Sequence, residues 1–187
     1  MSSFDISAII LGDLQVSTKG AKSVPLSYIG GKSAFLQASQ LTPLFEPSAF
    51  NDPLATRVNL CLSTNETVEA TLTELDAHVV TLLTAASHKL FGFPLTETQV
   101  RERMQPSVRT SDKGYTSWRM KMNVSGRCGV QIYDVEKKQT SPPDTWVGSN
   151  LSVRVLVRSI WMMNKEWGVL YEAQAIQVEP CSVECPF

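Results

Sequence analysis

Residues 30–33, Gly-Gly-Lys-Ser, have the types that close a phosphate-binding P-loop, where backbone N–H groups wrap the phosphates and a lysine reaches them. The spacing defeats that reading. Such a loop needs a glycine five positions before Gly31, and that position is Leu26, preceded by Pro25, which has no N–H to offer. The loop should also open a helix, yet "SAFLQAS" after it alternates like a strand. Gly30-Gly31 reads instead as a two-residue hairpin turn between "PLSYI" and "KSAFLQ", which leaves Lys32 at a sheet edge within reach of a phosphate.

Other reactive side chains are no better arranged for catalysis. His78 and His88 lie ten residues apart in one helical stretch, which is not a metal-binding pair, and no Gly-x-Ser-x-Gly elbow supplies a nucleophile. Cys181 and Cys185 form one close thiol pair with no histidine nearby, whereas a four-thiolate zinc site needs two such pairs. Cys61 and Cys128 sit in or beside apolar runs, where a free thiol behaves as a small hydrophobe. Glu69 with Glu74, and Asp134 with Glu136, read as solvated helix or turn carboxylates. The expectation is a protein that is not an enzyme, with no metal and no cofactor.

Charge is more informative. The 187 residues carry a net charge of −1, but the charge is unevenly spread. Residues 1–100 hold five Lys/Arg against nine Asp/Glu, residues 101–165 hold twelve against five, and residues 166–187 hold four Glu and no basic residue. A basic middle with a local net of +7 and an acidic end is the asymmetry that a polyanion-binding surface produces.

The elements that would present this charge follow from periodicity. "AIILGDLQV", "VPLSYI", "SAFLQAS" and "ATRVNLCLS" are short apolar or alternating runs punctuated by Gly, Pro and Asn, hence strands. Between them "LTPLFEPSAFNDPL" has three prolines in fourteen residues and reads as an irregular loop, of a length usually kept for function. From Thr67 to Leu90 the apolar positions Val68, Leu72, Leu75, Val79, Leu82, Leu83, Ala86 and Leu90 step by three and four, predicting a helix over about 66–91. Ser63-Thr64-Asn65-Glu66 offers it a capping box, and Gly92 and Pro94 close it. "TETQVRERMQ" predicts a short second helix ended by Pro106.

After Pro106 strands return, and two of them carry paired cations opposite an apolar face. In "SWRMKMNV", Trp118, Met120, Met122 and Val124 face one way and Arg119 and Lys121 the other; in "LSVRVLVRSIWMM", Leu151, Val153, Val155 and Val157 oppose Arg154 and Arg158. Arg57 with Asn59 adds a third such edge. Several such strands make a positive sheet surface that a nucleic-acid backbone can follow. Tyr28, Phe35, Tyr115, Tyr133, Trp161, Trp167 and Tyr171 are the aromatics that could stack on unpaired bases, while Trp118 belongs to the core.

The order "SYIGGKSAFLQASQL", long loop, "RVNLCLS", one helix ending "ASHKLFG", "SWRMKMNV", "GVQIYDV" and "WVGSNLSVRVLVRSIWMMNKEWGVLYEAQAIQV" resembles single-stranded DNA-binding proteins of large DNA viruses and phages. The likeness covers roughly residues 20–178 and is strongest at the Tyr28–Lys32 turn and from Gly148 to Val178. It implies a mainly β chain with inserted α, an OB-fold-like antiparallel barrel in one domain over residues 1–178 with an N-terminal β extension. It also implies a non-enzymatic protein that coats unpaired strands in replication, recombination or repair, largely without regard to sequence. The binding residues expected are Lys32, Arg57, Tyr115, Arg119, Lys121, Tyr133, Arg154, Arg158 and Trp161.

In such proteins an acidic tail with a terminal phenylalanine docks replication partners. Residues 179–187, with Glu179, Glu184 and Phe187, resemble a mild, flexible version of it. Single-stranded RNA is the alternative ligand, a homo-oligomer a further partner, and a structural or assembly module sharing the barrel the alternative role. No apolar run reaches the length of a membrane span, and "MSSFDIS" has no basic region before an apolar stretch, so the expected location is intracellular, with the DNA.

Overall fold

The computed structural model describes residues 4–49, 52, 54–126 and 129–179. A 3-10 turn (Ile6–Ala8) precedes β1 (Ile9–Leu11), β2 (Gln15–Val16), β3 (Lys22–Tyr28), β4 (Phe35–Leu41) and β5 (Arg57–Ser63). Then come α1 (Glu66–Phe91) and α2 (Glu97–Glu102), followed by β6 (Val108–Thr110), β7 (Thr116–Asn123), β8 (Gln131–Tyr133), β9 (Asn150–Met163) and β10 (Glu166–Glu179). The protein is mainly β with one long and one short helix inserted between strands, an OB-like fold. No helix among the described residues is long and apolar enough to cross a membrane. Cys128, Cys181, Glu184, Cys185 and Phe187 lie outside the described residues.

Two compact units divide the chain. The first is Met1–Leu36, Glu66–Arg109 and Leu156–Tyr171; the second is Gln37–Asn65, Thr110–Val155 and Glu172–Phe187. The long strands β9 and β10 give one half to each.

In the first unit, β3 is antiparallel to β1 (Ile9 opposite Tyr28), to β2 (Val16 opposite Lys22) and to the end of β9 (Val24 opposite Ile160). Helix α1 buries Val68, Leu72, Leu75, Val79, Val80, Leu83, Ser87 and Leu90. The predicted stripe is therefore present, with Leu82 and Ala86 half-buried and Val80 and Ser87 in the core instead. Ser87 is tolerable there because its hydroxyl accepts the Leu95 N–H at 3.0 Å and donates to Thr84 O at 2.8 Å. Gly92 ends α1 with φ of 80°, its N–H reaching His88 O at 2.9 Å. His78 finds a backbone partner, its Nε2 lying 2.9 Å from Ile9 O. The predicted capping box does not form around Ser63, which belongs to β5 and whose hydroxyl lies 2.6 Å from that of Thr42. A complete box caps α2 instead, through Thr96 and Gln99.

In the second unit, β5 is antiparallel to β7 over its whole length, from Arg57 opposite Asn123 to Ser63 opposite Ser117. β10 runs parallel to β7 and then to β8, with Glu172 in register with Lys121 and Gln177 with Tyr133. The core holds Leu41, Leu60, Leu62, Trp118, Met120, Met122, Leu151, Val153, Val155 and Ile176, all essentially buried.

One expectation about the glycines is corrected. Gly30 and Gly31 do form a tight turn with φ of 84° and 77°, and Gly31 N–H and Tyr28 N–H close it on Tyr28 O and Lys32 O. The flanking strands are not hairpin partners, however: β3 and β4 both pair with β9. The turn joins two strands that each pair with β9.

Candidate nucleic-acid interface

Most of the predicted binding residues fall in the second unit, on the solvent side of its strands. Residues directly opposite in an antiparallel pair project to the same side. The register Arg57–Asn123, Asn59–Lys121 and Cys61–Arg119 therefore puts three cations on one face, while Leu60, Leu62, Trp118, Met120 and Met122 fill the other.

That face is organised around a buried carboxylate. Glu172 is 3% exposed and accepts from Arg57 Nη2 at 3.0 Å, Asn123 Nδ2 at 3.2 Å and Gln174 Nε2 at 3.1 Å. Lys121 Nζ donates to Asn59 Oδ1 at 2.7 Å. Burial, and after it the charges of Arg57 and Arg119, hold the Lys121 ammonium below its ordinary pKa. Arg119 is exposed, and its guanidinium has no hydrogen-bond or ion-pair partner among the described residues. Chemically this is a surface short of anions: three cations near enough to repel one another, with one glutamate engaged by Arg57.

Beside it the same unit is concave. A groove of about 390 Å³ is lined by Gln37 and Ser39 of β4, Ser152 and Arg154 of β9, Ala175 and Gln177 of β10, Tyr133 of β8, and Lys137. Alternation explains the lining of β4 and β9: Leu36, Ala38, Val153 and Val155 are buried, so the residues between them face outward. In β10 the alternation slips, since Gln174 and Ala175 are both half-buried between buried Ala173 and Ile176. Two groups in the groove are locked. Tyr133 donates its hydroxyl to Gln131 Oε1 at 2.9 Å, and Gln177 Nε2 donates to Asp134 O and Val135 O at 3.1 and 3.2 Å. A phenol ring held by its own hydroxyl, in a groove that Arg154 and Lys137 also line, can stack a base while the cations meet its phosphates. A second hollow of about 250 Å³, lined by Gln40, Asn150 and Glu179 among others, shares Ser152 and Gln177 with it.

Tyr115 follows a tight turn closed by Ser111 N–H on Tyr115 O at 2.9 Å, and it is 44% exposed. The first unit holds the other three predicted residues. Lys32 is exposed in the Gly30–Gly31 turn, and Arg158 projects to solvent from β9. Trp161 is half-buried and lies flat over Gly168, where an added Cβ would come within 2.9 Å of the indole. Trp167 and Tyr171, considered above for stacking, are each 2% exposed and belong to the core; Trp167 stacks on Phe91 at 5.2 Å.

Sequence reasoning anticipated Tyr133 and Arg154 but not Gln37, Ser39, Lys137 or Gln177 beside them. Lys137 was hidden because it sits at a turn in the left-handed region, φ 63°, where a lysine carries no motif. The tail residues Glu184 and Phe187 lie outside the described residues.

No protein-family model matches the sequence, and no curated protein does. The fold is similar to that of a single-stranded DNA-binding protein from bacteriophage Enc34 in complex with ssDNA, with 11% identity and a TM-score of 0.50 over 83% of this chain and 90% of that one. It is also similar to gp2.5, a single-stranded DNA-binding protein encoded by bacteriophage T7, with 12% identity and a TM-score of 0.53 over 80% of this chain and 88% of that one. This chain therefore shares its fold with single-stranded DNA-binding proteins of bacteriophages.

Proposed function

We propose that this chain is a non-enzymatic single-stranded DNA-binding protein that coats unpaired strands during replication, recombination or repair, with little sequence preference. The observation that carries the reading is the groove in the second unit, whose lining a locked Tyr133 shares with Arg154 and Lys137. The neighbouring Arg57, Arg119 and Lys121 face extends the positive path. In this reading Lys32, Arg57, Arg119, Lys121, Arg154 and Arg158 neutralise phosphates, and Tyr115, Tyr133 and Trp161 stack bases. The similar phage proteins support the ligand class. The protein acts inside the cell where DNA is copied, residues 1–178 work as one domain, and the tail with Glu184 and Phe187 recruits replication proteins.

The test is fluorescence anisotropy with labelled single-stranded DNA, duplex DNA and single-stranded RNA at two salt concentrations. Tight, salt-sensitive binding to the DNA single strand over the duplex is expected; absence of binding to all three at low salt overturns the reading. A second reading, an assembly module, is favoured by Phe45 and Leu54, which are 59% and 89% exposed in the proline-rich loop. Its sign is a stable oligomer indifferent to nucleic acid.

A further inference from the structure

The turn that leads into β9 already holds an anion. Glu46, in the stretch between β4 and β5, sends its carboxylate to residues about 100 positions further along the chain. Thr145 Oγ1 donates to Glu46 Oε1 at 2.7 Å, Trp146 N–H reaches Oε1 at 3.0 Å and Oε2 at 3.1 Å, and Val147 N–H reaches Oε1 at 3.0 Å. Successive backbone N–H groups that converge on one point form a concave anion site, a nest.

The donors are held in place independently of their ligand. Trp146 is 6% exposed, Ser149 N–H closes the turn on Trp146 O at 3.1 Å, and Gly148 takes a φ of 90° that suits glycine. The occupant, by contrast, is removable. Glu46 is exposed, so its carboxylate can rotate into water without burying a charge or opening the core. The hydrogen bonds, the Val147 N–H first among them, keep that carboxyl below its ordinary pKa, so it sits there as an anion.

Position suggests what would replace it. Val147 is three residues before Asn150, the first residue of β9, and β9 continues through Ser152 and Arg154 into the groove. A strand laid along that face brings phosphodiesters whose two non-bridging oxygens, sharing one negative charge as in a carboxylate, ask for the same donors. We propose that the Thr145–Trp146–Val147 nest is a phosphate-class anion site, occupied by Glu46 in the free protein and by a backbone phosphate of a bound strand. The identity of that ligand rests on the strand-binding reading above; the nest itself does not.

Two experiments separate these. Amide NMR of the full chain titrated with inorganic phosphate should move the Trp146 and Val147 resonances saturably in Glu46→Ala. In the wild type it should move them only at concentrations at least tenfold higher. Adding Thr145→Val to Glu46→Ala should weaken phosphate several-fold. Against single-stranded DNA, Glu46→Ala should bind several-fold more tightly, because the strand no longer has to displace a carboxylate from the nest, and adding Thr145→Val should take back part of that gain. Asp144→Asn, which removes an equal charge from the adjacent exposed residue, should give a smaller gain that Thr145→Val does not reverse. Amides of Glu46→Ala that ignore phosphate would overturn the site and make Glu46 a loop fastener only. Phosphate binding with a gain in DNA affinity no larger than that of Asp144→Asn would overturn the strand's part in it. If the wild type binds no DNA at all, the strand reading fails and the phosphate titration still decides the nest.

Discussion

At the scale of single residues, exposure and partners decide which cations count. Arg119 is exposed and unpartnered among the described residues, so Arg119→Ala should lower the salt slope of single-strand binding by about 0.7, read from titrations at several salt concentrations. Arg57, whose guanidinium is engaged by Glu172, should contribute less to that slope. Tyr133→Leu should cost about 1–3 kcal/mol of binding and Tyr133→Phe much less, because the ring, not the hydroxyl, does the stacking. Arg119 and Arg154 were legible because alternation in "SWRMKMNV" and "LSVRVLVRSIWMM" separates cations from core. Gln37, Lys137 and Gln177 were not, since a groove depends on which strands become neighbours, and that is a property of pairing rather than of any one segment.

A second residue-scale prediction concerns acid in the first unit. Ser107 Oγ donates to Asp76 Oδ1 at 2.6 Å, so the Tyr171 hydroxyl, 2.6 Å away, must donate to Ser107. Burial raises the Asp76 pKa more than the Ser107 hydrogen bonds lower it. The folded state therefore holds the Asp76 proton more tightly than the unfolded state does, and this group's contribution to stability falls as pH rises through the folded pKa. Asp76→Asn removes that pH-dependent loss. Thermal unfolding of both proteins from about pH 4 to pH 7 should show the variant gaining on the wild type toward neutral pH. A constant difference across the range would mean that Asp76 does not titrate there.

At the scale of elements, α1 shows why amphipathic helices are the easiest feature to read: a period of three and four over 26 residues has few alternatives. Strand partners are harder. The Gly-Gly turn between β3 and β4 was read as a hairpin because two-residue glycine turns usually are. The pairing with β9 depends on residues more than a hundred positions away. The parallel pairing of β10 with β7 and β8 has no local signal either. Gly168 in β10 offers a test of one such long-range fit. Gly168→Ala places a methyl about 2.9 Å from the Trp161 ring and should push that indole outward. The cost is about 1–3 kcal/mol of stability. Trp118, Trp146 and Trp167 are buried, so the displaced Trp161 should appear as a red-shifted component of the emission.

At the scale of the whole molecule, a ligand that binds only the folded state stabilises it by mass action, about 2.7 kcal/mol at a hundred times its Kd. Single-stranded DNA should therefore raise the midpoint of thermal unfolding in proportion to the logarithm of its concentration, and added salt should erase the gain. A midpoint indifferent to DNA would count against the proposed function. The division of the chain carries a different consequence. Each unit is assembled from three separate stretches, the first closing only at Tyr171 and the second drawing on Glu172 and beyond. No single cut releases either unit as an unbroken piece. During synthesis neither can be completed while the last third of the chain is still in the ribosome, so β3 and β4 must wait for their partner β9 to emerge.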